Sequence, residues 1–196
     1  MFVMTIDQRG SRRATDRVPE LLAALADVPV VRGFERTVGD EVQGVLDDPE
    51  VVVDTALVAL RDGGWSVGVG AGPVDEPLPR SPREGSGAAF LLARDAVEAA
   101  KNRQRPVPLA VRGVDATAAA DADAVLVLLG SLAARRTAAG WAAVDAVRAV
   151  DAGQDVVAHA LGVSQQAVSQ RLRTAMWAEE LAARPAAARL LTRAAD

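Results

Sequence analysis

Short apolar runs and helically spaced apolar residues alternate along the first part of the chain. Runs such as Phe2–Ile6 and Trp65–Gly70, bounded by Gly, Pro or charged residues, predict strands. Apolar positions repeat at helical spacing over 18–26 and again after Pro49, which predicts two helices. A turn at Gly39-Asp40 joins two further strands in a predicted hairpin. The full predicted order is β-α-β-β-α-β, then a loop, then α-β.

This order predicts an α+β protein whose first domain, residues 1–114, is an α/β sandwich. We expect the helices of that domain to lie over one face of a mostly antiparallel sheet. Residues 117–196 are Ala-rich, contain a single Pro and predict an all-helical second domain. In that domain we expect long helices over 120–139 and 141–150, and a final helix that Pro185 opens.

The composition narrows the classes of function. The 196 residues contain no Cys, which excludes a disulfide framework and a thiolate zinc site, and the single His159 disfavours a Ser-His-Asp enzyme. The net charge of −4 disfavours non-specific attraction to nucleic acid, so any DNA contact must be local. The longest apolar stretch, around 124–129, is shorter than the roughly 20 residues of a membrane span. We therefore expect a cytoplasmic protein without membrane contact.

Two carboxylates are candidates for metal binding. Asp7 ends the first predicted strand, and Asp40 lies at the tip of the hairpin that is expected to pair beside it. Paired carboxylates at strand ends hold Mg²⁺ beside phosphates, and the cationic residues Arg9, Arg12 and Arg13 of the next loop are suited to clamp a phosphate. The alternative is that both Asp residues cap turns and that the Arg residues form a solvated loop.

The first domain resembles known families over nearly its whole length. The runs Phe2–Asp7, Gly39–Leu46 and Gly68–Val74 resemble the class III nucleotide cyclase fold and its GGDEF relatives. Together with the segments 87–90, 93–94 and 99–101 they are similar to the SatD family of small bacterial proteins, which are described as DNA-binding regulators.

The resemblance implies a ferredoxin-like, cyclase-like fold and a small nucleotide as ligand, with Arg94 as a further nucleotide-binding residue. Active cyclases carry an Asn and an Arg in the last helix, whereas this chain has Arg94 and no Asn at the expected spacing. We therefore expect a degenerate domain without catalytic residues that either senses a nucleotide or metal ligand, with Mg²⁺ as the candidate ion, or assembles the dimer. The alternative is an Mg²⁺-dependent nucleotide-processing enzyme that uses Asp7 and Asp40.

The sharpest motif is the segment 154–173 in the second domain. A first helix is predicted to end at Leu161, Gly162 supplies the positive φ of a tight turn, and Ser164 is expected to cap the second helix. The spacing resembles helix-turn-helix regions of bacterial transcription regulators such as the MarR type. The alternative is a helical pair used only for packing or dimerisation.

Polar side chains without a carboxylate cover the outer face of the second helix. Gln and Arg hydrogen-bond to base edges in the major groove, and Ser binds bases or phosphates. The sequence therefore predicts a transcription regulator that binds double-stranded DNA, is a homodimer and is not an enzyme. The predicted DNA-contacting residues are Ser164, Gln165, Gln166, Ser169, Gln170 and Arg173.

Overall fold

The computed structural model describes residues 1–11, 13–149 and 154–196. Its strands are β1 (Phe2–Gln8), β2 (Arg32–Arg36), β3 (Glu41–Leu46), β4 (Trp65–Ala71) and β5 (Leu109–Gly113). Its α-helices are α1 (Val18–Ala24), α2 (Pro49–Asp62), α3 (Ala88–Ala100), α4 (Ala116–Ala134), α5 (Ala138–Ala149), α6 (Gln154–Ala160), α7 (Gln165–Thr174) and α8 (Trp177–Ala195).

The five strands form one mixed sheet in the order β2-β3-β1-β4-β5. The pairs β1/β3, β1/β4 and β2/β3 are antiparallel, whereas β4 and β5 are parallel. Parallel neighbours need a crossover, and α3 provides it. The α+β class and the predicted order of elements over residues 1–114 are confirmed.

Helices cover both faces of the sheet, so the prediction of helices over one face is wrong for α3. Side chains alternate along β1, which sends Phe2, Met4 and Ile6 into a large apolar cluster shared with α1, α2, α4 and α8. Val3 faces the other way and packs with Ala93 of α3. The parallel β4–α3–β5 crossover brings α3 to this second face.

Two glycines of β4 let α3 lie against the sheet. A Cβ atom at Gly68 would overlap the backbone of Val97, and one at Gly70 would overlap the backbone of Ala89. Only Gly allows such a close approach between a strand and a helix backbone. This contact places the end of α3, with Lys101, beside the end of β1.

The helices α4 and α8 belong to the core of the sheet, although both lie in the predicted second domain 117–196. Leu126 and Leu129 of α4 and Leu191 of α8 are buried in the same cluster as the strands. The two helices run antiparallel, since the Asp115 amide donates to the Ala194 carbonyl at one end, 3.3 Å away. The predicted boundary between 114 and 117 therefore does not separate two cores. The helices α5, α6 and α7, which we call the distal lobe, have small apolar clusters of their own.

The structure divides one predicted helix of residues 117–196 and begins another well before its predicted start. The predicted helix over 120–139 is divided, because the chain turns after Ala134 and the Thr137 hydroxyl accepts the Gly140 amide at the start of α5. Pro185 does not open a helix but lies inside α8. Pro185 has no amide hydrogen to donate to the carbonyl of Leu181, four residues earlier. Both residues are exposed, so water can bind to that carbonyl instead. The end of the predicted helix 141–150, at Val150, lies outside the described residues.

Among the described residues one helix, α4, is long and apolar enough to cross a membrane by length and composition alone, and 39% of its most apolar window is buried inside the protein. Its buried side chains pack against the sheet and α8. This packing is compatible with a soluble protein.

Candidate nucleic-acid interface and ligand cleft

The turn between α6 and α7 has the chemistry that the sequence predicts. Gly162 adopts φ 62°, and the Val163 amide donates to the Ala158 carbonyl at 3.0 Å, which reverses the chain directly after α6. The Ser164 hydroxyl then accepts the Ala167 amide at 3.2 Å and caps α7. The helix α6 ends at Ala160, one residue before its predicted end.

The distal lobe buries one face of α7 and leaves the other accessible. Val157 of α6 and Val168 of α7 are fully buried together, and Val163 and Leu172 pack against them. No carboxylate occurs between residues 164 and 178. The predicted contact residues all lie on the accessible part of α7 and its cap, with Ser169 half-buried and five exposed, namely Ser164, Gln165, Gln166, Gln170 and Arg173.

A buried ion pair lies where the distal lobe meets α4 and α8. The side chains of Arg136, after α4, and Glu180, in α8, are in contact with only 1% and 2% of their surfaces exposed. Arg136 Nε also donates to the carbonyl of Ala175, the residue that ends α7, at 2.8 Å. The Arg136 guanidinium lies 4.8 Å from the ring centre of Trp141 and 5.7 Å from that of Trp177. The Arg136 guanidinium therefore contacts both α8 and the end of α7.

The ion pair extends to the surface of α2. Arg184 Nη2 lies 2.6 Å from Glu180 Oε1, and its Nη1 contacts Asp54 of α2. Burial lowers the pKa of Arg184. The chain of contacts thus runs from the end of α7 to a carboxylate that is 49% exposed.

A second link joins α2 to α5. Arg61 donates to both carboxylate oxygens of Asp145 at 2.6 Å and lies 4.0 Å from the centre of the Trp141 ring. The hydrogen bonds from Arg61 lower the pKa of Asp145 below its ordinary value. Sequence reasoning missed Arg61, Arg136 and Glu180. Nothing in the neighbouring sequence distinguishes these three residues from the other charged residues of the chain.

Asp7 and Asp40 lie near each other, as predicted, but Asp7 already has a cationic partner. Asp7 of β1 lies opposite Glu41 of the neighbouring strand β3. The Gln8 amide donates to the Asp40 carbonyl at 3.3 Å. Lys101 Nζ lies 3.1 Å from Asp7 Oδ2. Burial raises the pKa of Asp7, the Lys101 ammonium opposes that rise, and the charges of Asp40 and Glu41 add to it.

Within the described ranges, no group of three or more potential ligand side chains could hold a metal ion. The Lys101 ammonium bonds to Asp7 and, at 2.7 Å, to Glu98. A Mg²⁺ ion at Asp7 would therefore have to compete with Lys101. The metal site remains a prediction.

An open cleft of about 310 Å³ lies between the loop after β1 and the tip of the β2–β3 hairpin. Asp16 and Arg36, paired at 2.6 Å, lie in its wall. Asp40 is the one predicted site residue that this cleft includes among the described residues; the other residues of the wall are Gln8, Ser11, Ala14 and Gly39.

Of the predicted phosphate-binding Arg residues, Arg9, Arg13 and Arg94 do not line this cleft. Arg9 and Arg13 are exposed on the neighbouring loop, and Arg94 is exposed on α3. Arg12 lies outside the described residues. A nucleotide site built from these side chains therefore stays a prediction.

No protein-family model, no curated protein and no solved structure matches this chain.

Proposed function

We propose that the protein is a cytoplasmic, homodimeric transcription regulator that binds double-stranded DNA through α7. The observation that carries the proposal is the accessible face of α7, where polar and cationic side chains stand without a carboxylate while Val168 and Leu172 pack inward. Side chains of this kind hydrogen-bond to base edges and phosphates when a helix enters the major groove. The helix-turn-helix reading of α6 and α7 and the SatD likeness favour the same function.

The roles on α7 follow from side-chain chemistry. Gln166 and Gln170 are suited to bind adenine through two hydrogen bonds, and Arg173 to bind guanine. Ser164, Gln165 and Ser169 are suited to phosphates or bases, and for Ser164 and Gln165 the partial positive charge of the helix start adds to the attraction. The capped first turn presents these groups on a rigid element.

Selection of binding sites from a random duplex pool at fixed, near-physiological salt tests the proposal. We expect a sequence with inverted symmetry to be enriched, and Q166A/R173A to weaken binding to it at least tenfold, because one good bidentate base contact contributes about 1–3 kcal/mol. The double variant Q104A/R193A removes the same two residue types from exposed positions outside the distal lobe and should bind within twofold of the parent. Absence of any enriched sequence would reduce the distal lobe to a protein-contact module.

A second candidate function is nucleotide binding by the sheet domain, which would make the regulator ligand-responsive. The cleft beside Asp40 favours it, since its volume lies at the lower end of the range for small-molecule sites. We propose that β1 to β4, with the order β2-β3-β1-β4, form a ferredoxin-like, cyclase-like unit that has lost catalysis.

Calorimetry with Mg²⁺ and a panel of nucleoside triphosphates tests this candidate. We expect heat of binding that Asp40→Ala removes and that Asp75→Ala, at an exposed position away from the cleft, leaves unchanged. Equal heats from the parent and from Asp40→Ala would place any nucleotide elsewhere. Heat of binding together with formation of a product would support the alternative of an Mg²⁺-dependent nucleotide-processing enzyme.

A further inference from the structure

One side of α4 is uncovered and carries a large exposed apolar residue, Leu128, between two charged residues. The helix buries Leu126 and Leu129 in the core, whereas Leu128 points away from it with 66% of its surface exposed. Asp121, Ala124 and Leu128 of α4 and Arg135, the helical residue directly after its end, are all exposed and are spaced three, four and seven residues apart, so they lie on one face of the helix. We call these four residues the α4 stripe.

The charges of the α4 stripe are arranged symmetrically. Asp121 and Arg135 lie seven residues before and seven residues after Leu128, which is about 10 Å on either side at 1.5 Å per residue. Neither takes part in an ion pair within the part of the chain that the structure describes. The acidic neighbour Asp123, by contrast, pairs with Arg105.

We propose that a second copy of this chain covers the α4 stripe, with the two α4 helices antiparallel and a two-fold axis passing at Leu128. In this arrangement Asp121 of each copy lies opposite Arg135 of the other copy. The interface therefore contains two such ion pairs, one on each side of the axis. Ala124 is level with the half-buried Leu132, which gives the helices close apolar contact on both sides of the axis. A two-fold interface uses the same patch on both subunits, which requires this self-complementarity.

The charge pattern favours a protein partner over a lipid surface. An interfacial membrane helix carries Lys or Arg along its polar face, whereas α4 contains Asp121 and Asp123, and Arg135, directly after its last residue, is the one cation of the α4 stripe. The inference rests on the homodimer of the proposed function and adds the surface that forms it.

Charge exchange followed by analytical ultracentrifugation tests the surface. D121R and R135D each create two like-charge pairs across the axis, and we expect each to raise the dimer dissociation constant at least tenfold. The double variant D121R/R135D restores opposite charges and should return the constant to within threefold of the parent. Leu128→Lys should also weaken the dimer at least tenfold, while Leu91→Lys, at a site 68% exposed on α3, should not. Circular dichroism checks that each variant is folded.

Cross-linking gives an independent readout, because the chain has no Cys. Leu128→Cys should form a disulfide-linked dimer under mild oxidation, and Leu91→Cys should not. If the dimer dissociation constant does not change in D121R and R135D, and Leu128→Cys does not cross-link, the α4 surface is wrong but the homodimer is still supported. A chain that is monomeric at 100 µM overturns both the surface and the homodimer. Binding to vesicles of anionic lipid that requires Leu128 overturns the surface alone. In either case the duplex selection decides DNA binding separately.

Discussion

The Arg136 guanidinium and the Glu180 carboxylate form an ion pair with almost no access to water, at the point where the distal lobe meets α4 and α8. The same guanidinium donates to the carbonyl of Ala175, at the end of α7. Removing two charges from water costs several kcal/mol, so such a pair contributes little net stability. Its structural effect is to hold the end of α7 at a defined position relative to the sheet.

Breaking the pair on one side should be costly. Glu180→Leu leaves the Arg136 charge buried without its carboxylate, and we expect the free energy of unfolding to fall by about 3–5 kcal/mol. The double variant R136M/E180L removes both charges and should be about as stable as the parent, or more so. Urea unfolding of the three proteins measures this. A double variant that loses as much stability as the single one would show that the pair itself stabilises the fold.

The cap of α7 should contribute measurably to stability. Ser164→Ala removes the hydroxyl that accepts the Ala167 amide, and we expect a loss of about 1 kcal/mol in the free energy of unfolding. Ser169→Ala, in the middle of the same helix, is the matched control and should change stability by less than about 0.5 kcal/mol. Hydrogen exchange should be faster at the first amides of α7 in Ser164→Ala alone. Equal exchange in both variants would argue against the cap.

The pKa of Asp7 should depend on Lys101. Burial raises this pKa above its ordinary value of 3.8, and the hydrogen bond and charge of Lys101 oppose the rise. Lys101→Met removes that opposition, so the pKa of Asp7 should move further up, which carboxyl NMR titration measures. A titration of Asp7 at or below the parent value in Lys101→Met would contradict this account.

The same variant makes a prediction about stability and pH. A carboxyl with a higher pKa in the folded than in the unfolded state binds more protons when folded. Its contribution to stability is therefore greatest below pH 3.8 and is lost as the pH rises through the folded-state pKa. The free energy of unfolding of Lys101→Met should thus fall more steeply than that of the parent over this window. Adding Asp7→Asn to Lys101→Met should abolish the extra slope.

The contact of α3 with the sheet should not tolerate a side chain at Gly68 of β4. Gly68→Ala places a Cβ against the backbone of Val97, so we expect α3 to shift and the free energy of unfolding to fall by about 1–3 kcal/mol or more. Gly33→Ala is the matched control, because its Cβ would meet nothing within 4 Å. Thermal unfolding compares the two. Equal stability of Gly68→Ala and the parent would mean that α3 is not held where the structure has it.

Local signals predicted the elements well. The Gly39-Asp40 turn, the glycine stop after α2 and the Gly162–Ser164 connection are each determined by residues next to them in sequence, so the sequence alone indicates them. The α+β class follows from the order of these elements. For the same reason the accessible side chains of α7 could be named before their exposure was known.

Long-range contacts were outside the reach of pattern reasoning. The face of the sheet that α3 covers depends on the crossover from β4 to β5, and the periodicity of α3 is the same for either face. The contacts of Arg136 join residues 39 and 44 positions apart, and nothing in the neighbouring sequence indicates that this Arg is buried while Arg135 is exposed. The prediction for Pro185 was wrong because the sequence does not distinguish a proline at the start of a helix from a proline on the solvent-exposed side of a helix interior.

The antiparallel pair of α4 and α8 makes the distal lobe an insertion at the tip of a helical hairpin. The largest apolar cluster draws on residues 2–129 and 187–194, so excising 135–176 and joining the two helices by a short turn would leave its fully buried members in place. Two anchored ends also restrain how far the lobe can swing, which a single linker would not do. The protein is therefore built so that one lobe can be exchanged for another without rebuilding the sheet that carries it.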